Sequence, residues 1–134
     1  MVLLIALMAL GLSFLVNKCM LRLLREHAAI LGAPVFEELL KTLPAYYWNR
    51  PVFHVHFFFG LGEALYDFAN SSRNTGRWAA FSSIISHCIF GAVTELMLHQ
   101  TGRIILTVPS AIAIHCAWNF VVMRAGNKKK KVVD

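Results

Sequence analysis

Long apolar stretches alternate with short polar breaks along this chain, and the lengths of the stretches predict helices rather than strands. Residues 1–16 are almost wholly apolar and would form a helix of about 24 Å, short of the roughly 30 Å bilayer core, so they read as a short or tilted first span. The next stretch, 17–27, sets Lys18, Arg22, Arg25 and Glu26 among leucines at a spacing that suits an amphipathic helix lying in the membrane interface. A second span covers 28–48, interrupted by Gly32, Pro34 and Pro44; proline is tolerated in a first turn, so the ordered helix can begin at Pro34. Asn49-Arg50-Pro51 is a tight connection, 52–70 a third span, and 71–77 a polar loop. Span four covers 79–100, Thr101-Gly-Arg103 makes a turn, and span five covers 104–123. The pattern therefore predicts an all-α fold, a multi-pass transmembrane bundle of about five helices with a short interfacial amphipathic segment. No internal repeat is seen, and residues 1–134 read as a single membrane-embedded domain.

Composition agrees with the pattern. Hydrophobic residues make up 57% of the chain and charged residues 15%, with a mean hydropathy of +0.59, whereas ordinary soluble domains carry about 25% charged residues. The net charge of +6 could suggest nucleic acid, but Lys128 to Lys131 lie beyond the last apolar run in a basic tail, 124–134, and no aromatic residues interleave with them. The expected partners are membrane lipid and a membrane protein or peptide, with nucleic acid excluded. Basic residues also give an orientation. Lys18, Arg22, Arg25, Arg73, Arg77, Arg124 and the four tail lysines fall on one side of the spans, against Arg50 and Arg103 on the other. By the positive-inside rule the chain crosses the cell membrane several times with its C-terminus cytoplasmic and its N-terminus outside. Cys19, Cys88 and Cys116 are odd in number and imply no disulfide framework.

Against that background the informative residues are the polar ones inside the spans. An ionised group at the bilayer centre costs roughly 2.5 to 3.5 kcal/mol even on the lenient insertion scale, so Glu37 and Glu38 in Pro34-Val-Phe-Glu-Glu-Leu-Leu-Lys41 require compensation. Glu63, His87, and His115 with Asn119 intrude in the same way into the third, fourth and fifth spans. Counted from the turns at about 1.5 Å per residue, Glu38 and Glu63 both lie roughly 17 Å from the Asn49 face, and the two histidines fall near the same level. Residues at one depth on neighbouring helices can form one buried site. His115 and Asn119, one turn apart on one face, suit a metal ligand or a donor to a developing oxyanion. Glu37 and Glu38 point about 100° apart, so one can act as ligand or base while the other orients a partner such as Lys41. His54 and His56 read as interfacial, His27 and His99 as structural, Asp67 as a solvated end residue, and Cys88 and Cys116 as core. Glu95, eight residues after His87 on roughly the same face, is a further candidate.

These residues resemble a family. Glu37-Glu38-Leu-Leu-Lys41 is similar to the Glu-Glu-x-x-Lys signature of PrsW-type intramembrane metalloproteases, within the broader CAAX prenyl endopeptidase-like group (CPBP/Abi). Phe59-x-x-x-Glu63 with Tyr66 resembles the second motif, where the CAAX branch has histidine; Phe81 to Gly91 with His87 resembles the third, and His115-Cys-Ala-Trp-Asn119 the fourth. Together they cover a core of residues 34–120. The resemblance implies a membrane metalloendopeptidase, a hydrolase that cleaves peptide bonds of membrane proteins or peptides within or near the bilayer with a Glu/His-activated water. It implies a divalent metal, zinc being the expected ion, held by Glu38, Glu63, His87 and His115. Glu37, Glu38, His87 and Asn119 would be the catalytic residues, with Glu37 or Glu38 activating water and Asn119 stabilising the oxyanion. The alternatives are a small transporter or channel for protons or divalent cations, and a catalytically silent relative. The chain lacks most of the additional N-terminal spans expected of the family.

Overall fold

The computed structural model describes residues 1–24 and 31–133, with side chains except at 23–24 and 126–133. Five helices and, among the described residues, no strand make up the fold: α1 (Val2–Leu24), α2 (Ala33–Tyr47), α3 (Val52–Asn70), α4 (Arg73–Thr101) and α5 (Ile104–Val133). Three of them are long and apolar enough to cross a bilayer, over Val2–Arg22, Arg73–Thr101 and Ile104–Ala125. The two others are shorter and carry the acids: α2 has 15 residues and α3 has 19.

Several boundaries differ from the sequence pattern, each for a local reason. No break follows Val16; Asn17 to Leu24 continue α1, because leucine, methionine, lysine and arginine are good helix formers and neither glycine nor proline interrupts them. The charged stretch after Val16 is thus the end of the first helix. The rest of the expected interfacial segment, His27 included, and the first residues of the expected second span lie outside the described residues. The expected loop 71–77 shrinks to Ser71 and Ser72, with the Ser72 carbonyl accepting from Gly76 N at 2.7 Å as α4 begins. Gly76 does not end that helix; it lies where α4 crosses α3, and a β-carbon there would be 3.3 Å from the Asp67 carbonyl oxygen. Helix α5 runs past the expected end at 123 to Val133, so most of the basic tail is helical.

Helix α3 packs against α1, α2 and α4, while α5 touches α2 and α4, closing a ring. The α3–α4 approach depends on glycine. A β-carbon on Gly60 would fall 2.6 Å from His87 Cβ, and one on Gly91 2.7 Å from His56 Cβ. Gly91→Ala is therefore expected to force the helices apart and destabilise the fold by about 1–3 kcal/mol. An unchanged melting curve of the detergent-purified variant would contradict this close approach.

The burial pattern is inverted relative to a soluble protein. Leu3, Leu4, Leu7, Phe14, Leu65, Ile105 and Val121 are exposed, whereas Glu37, Glu38, Lys41, Thr42, His56, His87 and His115 are buried. Helix α2 makes this plain: its buried face is Ala33, Pro34, Glu37, Glu38, Lys41, Thr42 and Ala45, while the large side chains of Phe36, Tyr46 and Tyr47 are exposed. A lipid-facing exterior around a polar interior accounts for both halves. The two ends of the bundle also differ. Ile5, Ala6, Ala45, Val52 and Val55 form an apolar plug at the end bearing the 48–51 and 102–103 turns. Tyr47 and Trp48 stand exposed beside it, as amphipathic rings do at a membrane surface.

Candidate functional site

Helices α2, α3, α4 and α5 bring Glu37, Glu38, Lys41, Glu63, His87 and His115 together in the middle of the bundle. Helical spacing supplies the faces: Glu38 and Lys41 are one turn apart, Glu63 stands two turns from His56, and Ser83 one turn before His87. At the centre is an ion pair between two fully buried groups, with Lys41 Nζ 2.8 Å from Glu38 Oε1. The same ammonium donates to His87 Nδ1 at 3.3 Å and lies 4.5 Å from the centre of the Phe59 ring.

These contacts determine the imidazole tautomers. An ammonium can only donate, so His87 Nδ1 accepts and Nε2 carries the ring proton, donating to Glu63 Oε2 at 2.5 Å. A carboxylate paired with lysine can only accept, so His115 Nδ1 donates to Glu38 Oε1 at 2.9 Å. That leaves the lone pair of His115 Nε2 facing Glu37 Oε2 across 3.7 Å. Two acceptors opposed at this distance in a buried place are stabilised by a positive centre between them, a proton or a metal ion.

The donor set fits a metal ion provided His87 turns one ring nitrogen away from its present partner, Lys41 at Nδ1 or Glu63 at Nε2. Glu37, His87 and His115, all buried, each offer a ligand atom, and these atoms lie within 4.8 Å of one another. Shifts of less than about 1 Å would bring them to the roughly 2.0–2.2 Å bond lengths of a divalent ion such as zinc. Two nitrogens and a carboxylate oxygen also match the composition of catalytic zinc sites that leave a position open. Charge points the same way. Were Glu37, Glu38 and Glu63 all ionised, Lys41 would be the one fixed cation against them among the described residues, leaving the cluster short by the charge of a divalent cation.

Of the ligands expected from the sequence, His87 and His115 belong to this triad, and Glu37 supplies its carboxylate. Glu38 and Glu63 are each hydrogen-bonded to one of the imidazoles, where an acid fixes ring orientation and tautomer. Asn119 lines the same cavity as Glu37, Glu63, His87 and His115. That cavity, of about 880 Å³, is walled further by Ser82, Ser83 and Ser86 of α4 and by Trp118 and Val122 of α5. It extends from the acids past Asn74 and Thr75, toward the end opposite the apolar plug.

Two residues with expected peripheral roles are part of the network. Asn17 donates through Nδ2 to Glu37 Oε1 at 3.0 Å, tying α1 to the site. Its signal in the sequence was slight: an amide one turn after Ser13, in a run that reads as interfacial once α1 is ended at Val16. His56, expected at the interface, is fully buried, with Nε2 3.4 Å from Thr42 Oγ1 and 3.6 Å from Glu38 Oε2. It was legible as the residue two turns before Glu63 on the same face. Conversely, Glu95 does not join the cluster; its Oε2 accepts from Phe53 N at 2.6 Å and caps the first turn of α3. Exposed His99 lies 4.0 Å from Glu95 Oε1, away from the site.

The Asn17 contact yields a prediction. Asn17→Leu removes the donor that holds Glu37 and is expected to weaken divalent-ion binding by about 10- to 100-fold, as loss of such orienting partners commonly does. Calorimetric titration of the detergent-purified protein with zinc measures it; unchanged affinity would mean that α1 only covers the site. Compared with protein-family models, with curated proteins and with solved structures, the chain matches none.

Proposed function

We propose that this protein is an intramembrane metal-dependent endopeptidase related to the PrsW-type enzymes, crossing the cell membrane five times with its tail in the cytoplasm. The observation that carries the reading is the buried Glu37, His87 and His115 triad at the wall of a cavity that also contains Glu63 and Asn119. Glu37, His87 and His115 would hold the cation, which when bound supplies Lewis acidity for activating water.

The remaining roles follow from what each side chain touches. Peptide hydrolysis requires water to lose a proton as its oxygen joins the carbonyl carbon, and the leaving amine to gain one as the C–N bond breaks. Glu63 borders the cavity, and the contacts it makes with Ser83 and His87 both fall on Oε2. Its Oε1 would take that proton and return it to the amine. Glu38 holds His115 in the tautomer that presents Nε2, whereas His87 would give up either its Nε2–H bond to Glu63 or its Nδ1 contact with Lys41 to bind the cation. Asn119 would donate its amide to the carbonyl oxygen as negative charge grows there. The hydroxyls of Ser82, Ser83 and Ser86 offer hydrogen bonds to a peptide backbone that has left its helix.

A transporter of protons or divalent cations is the second reading, favoured by the unbroken chain of contacts from Asn17 through Glu37, His115, Glu38, Lys41 and His87 to Glu63. The apolar plug of Ile5, Ala45, Val52 and Val55 weighs against it, since a conducting path must open at both ends. Reconstitution with a fluorogenic model transmembrane peptide separates the two. A peptidase cleaves it, is stopped by a chelator and is restored by zinc. Ion flux across the liposome without cleavage would give the protein to the second reading.

A further inference from the structure

We propose that the groove between α1 and α3 is a binding site for a zwitterionic phospholipid with a primary ammonium head, of the phosphatidylethanolamine class, drawn from the cytoplasmic leaflet. The inference depends on the orientation in the membrane and not on peptidase activity.

The groove adjoins the Ser-lined cavity, with Glu63 and Asp67 lining both, and has a volume of about 900 Å³. That lies toward the upper end of the roughly 300–1,000 Å³ typical of ligand pockets. Its lining is graded along the membrane normal. Leu7, Leu10, Gly11 and Phe14 form the deep part, whereas Lys18 of α1 and Tyr66 and Asp67 of α3 stand nearer the basic end of the bundle. From Leu7 to Lys18 is about 17 Å of helix, close to half the roughly 30 Å hydrocarbon core, so an acyl chain in the deep part puts its head at the charges.

Two further observations point to an occupant. Lys18 and Asp67 line the same groove with opposite charges but form no ion pair with each other among the described contacts. A head carrying phosphate and ammonium can satisfy both: the phosphate meets Lys18, a compact cation suited to it, and the ammonium donates to Asp67. A choline head has no N–H to donate, and an anionic glycerol head would meet Lys18 while being repelled by Asp67 and Glu63. Gly11 supplies the second observation. A β-carbon built on it meets nothing within 4 Å, so this wall of the groove is open where a tail would lie.

Native mass spectrometry of the full chain, released from nanodiscs containing equal parts of phosphatidylethanolamine, phosphatidylcholine and phosphatidylglycerol, tests the proposal. The wild type should retain phosphatidylethanolamine over the other two by about fivefold, the scale of one partly buried charged contact. Gly11→Phe, which projects into open space and leaves helix packing undisturbed, should abolish retention with an unchanged melting curve. Asp67→Asn should keep lipid bound but lose the preference for ethanolamine over choline. Equal retention of the three lipids by the wild type would overturn the proposal, as would undiminished retention by a folded Gly11→Phe. Binding of the model transmembrane peptide by the wild type in place of all three lipids, lost in a folded Gly11→Phe, would assign the groove to polypeptide and likewise overturn it.

Discussion

Exchange of His115 for alanine is expected to abolish peptide cleavage, lowering the rate by at least about 10²–10⁴-fold, while leaving the helical content intact. His115 is the residue on which the two acids of α2 converge, Glu38 holding Nδ1 and Glu37 facing Nε2. Its loss would remove a proposed cation ligand and one partner from each carboxylate, Glu38 keeping Lys41 and Glu37 keeping Asn17. His87→Ala should have a similar effect, because His87 connects Lys41 to Glu63 and belongs to the same triad. Cys116→Ala is the control: Cys116 is half-buried, follows His115 by about 100° around α5, and makes no hydrogen bond to the network among the described contacts. The comparison reads initial rates on the model peptide beside circular dichroism of the same preparations. Retained cleavage in a folded His115→Ala protein would take the chemistry away from this cluster.

Lys41→Met is expected to produce the largest loss of stability. Methionine keeps much of the length and the contact with Phe59 but leaves Glu38 ionised, fully buried and without its cation. Removing one partner of a buried pair typically costs about 3–5 kcal/mol, because the remaining charge is stranded. For a chain of this size the melting temperature should fall by more than about 10 °C. Zinc should reverse part of that fall, since a divalent ion among Glu37, His87 and His115 returns positive charge to within reach of Glu38. A melting temperature within about 2 °C of the wild type, with or without zinc, would mean that Lys41 merely fills space.

The sequence made the bundle and the convergence of its polar residues legible because both depend on chain length alone. Turns bounded by Asn49 and Pro51, or by Gly102, return the helices to the same face, and residue counts then set the depths of Glu38, Glu63, His87 and His115. What counting could not supply was rotation about each helix axis. Glu37 and Glu38 are equivalent in depth, and only packing against α1 and α5 turns Glu37 toward Asn17 and His115 Nε2 and gives Glu38 the contacts with Lys41 and His115 Nδ1. Asn17 and His56 escaped for a related reason. Composition puts both near a membrane surface, whereas continuation of α1 past Val16 and the Gly91 contact of His56 draw them inward. Glu95 stays out of the site, because the amide of Phe53 claims its carboxylate.

Metal analysis with cobalt substitution asks most directly whether a cation occupies the space between Glu37, His87 and His115. The wild-type protein, purified in detergent without chelator, should carry a single tightly held divalent ion per chain. Its cobalt form should show the intense visible absorption of low-coordinate nitrogen and oxygen ligation. The His87→Ala, His115→Ala double variant should lose both ion and absorption while remaining helical. A wild type that binds no divalent ion, or a double variant that binds it equally well, would contradict the account.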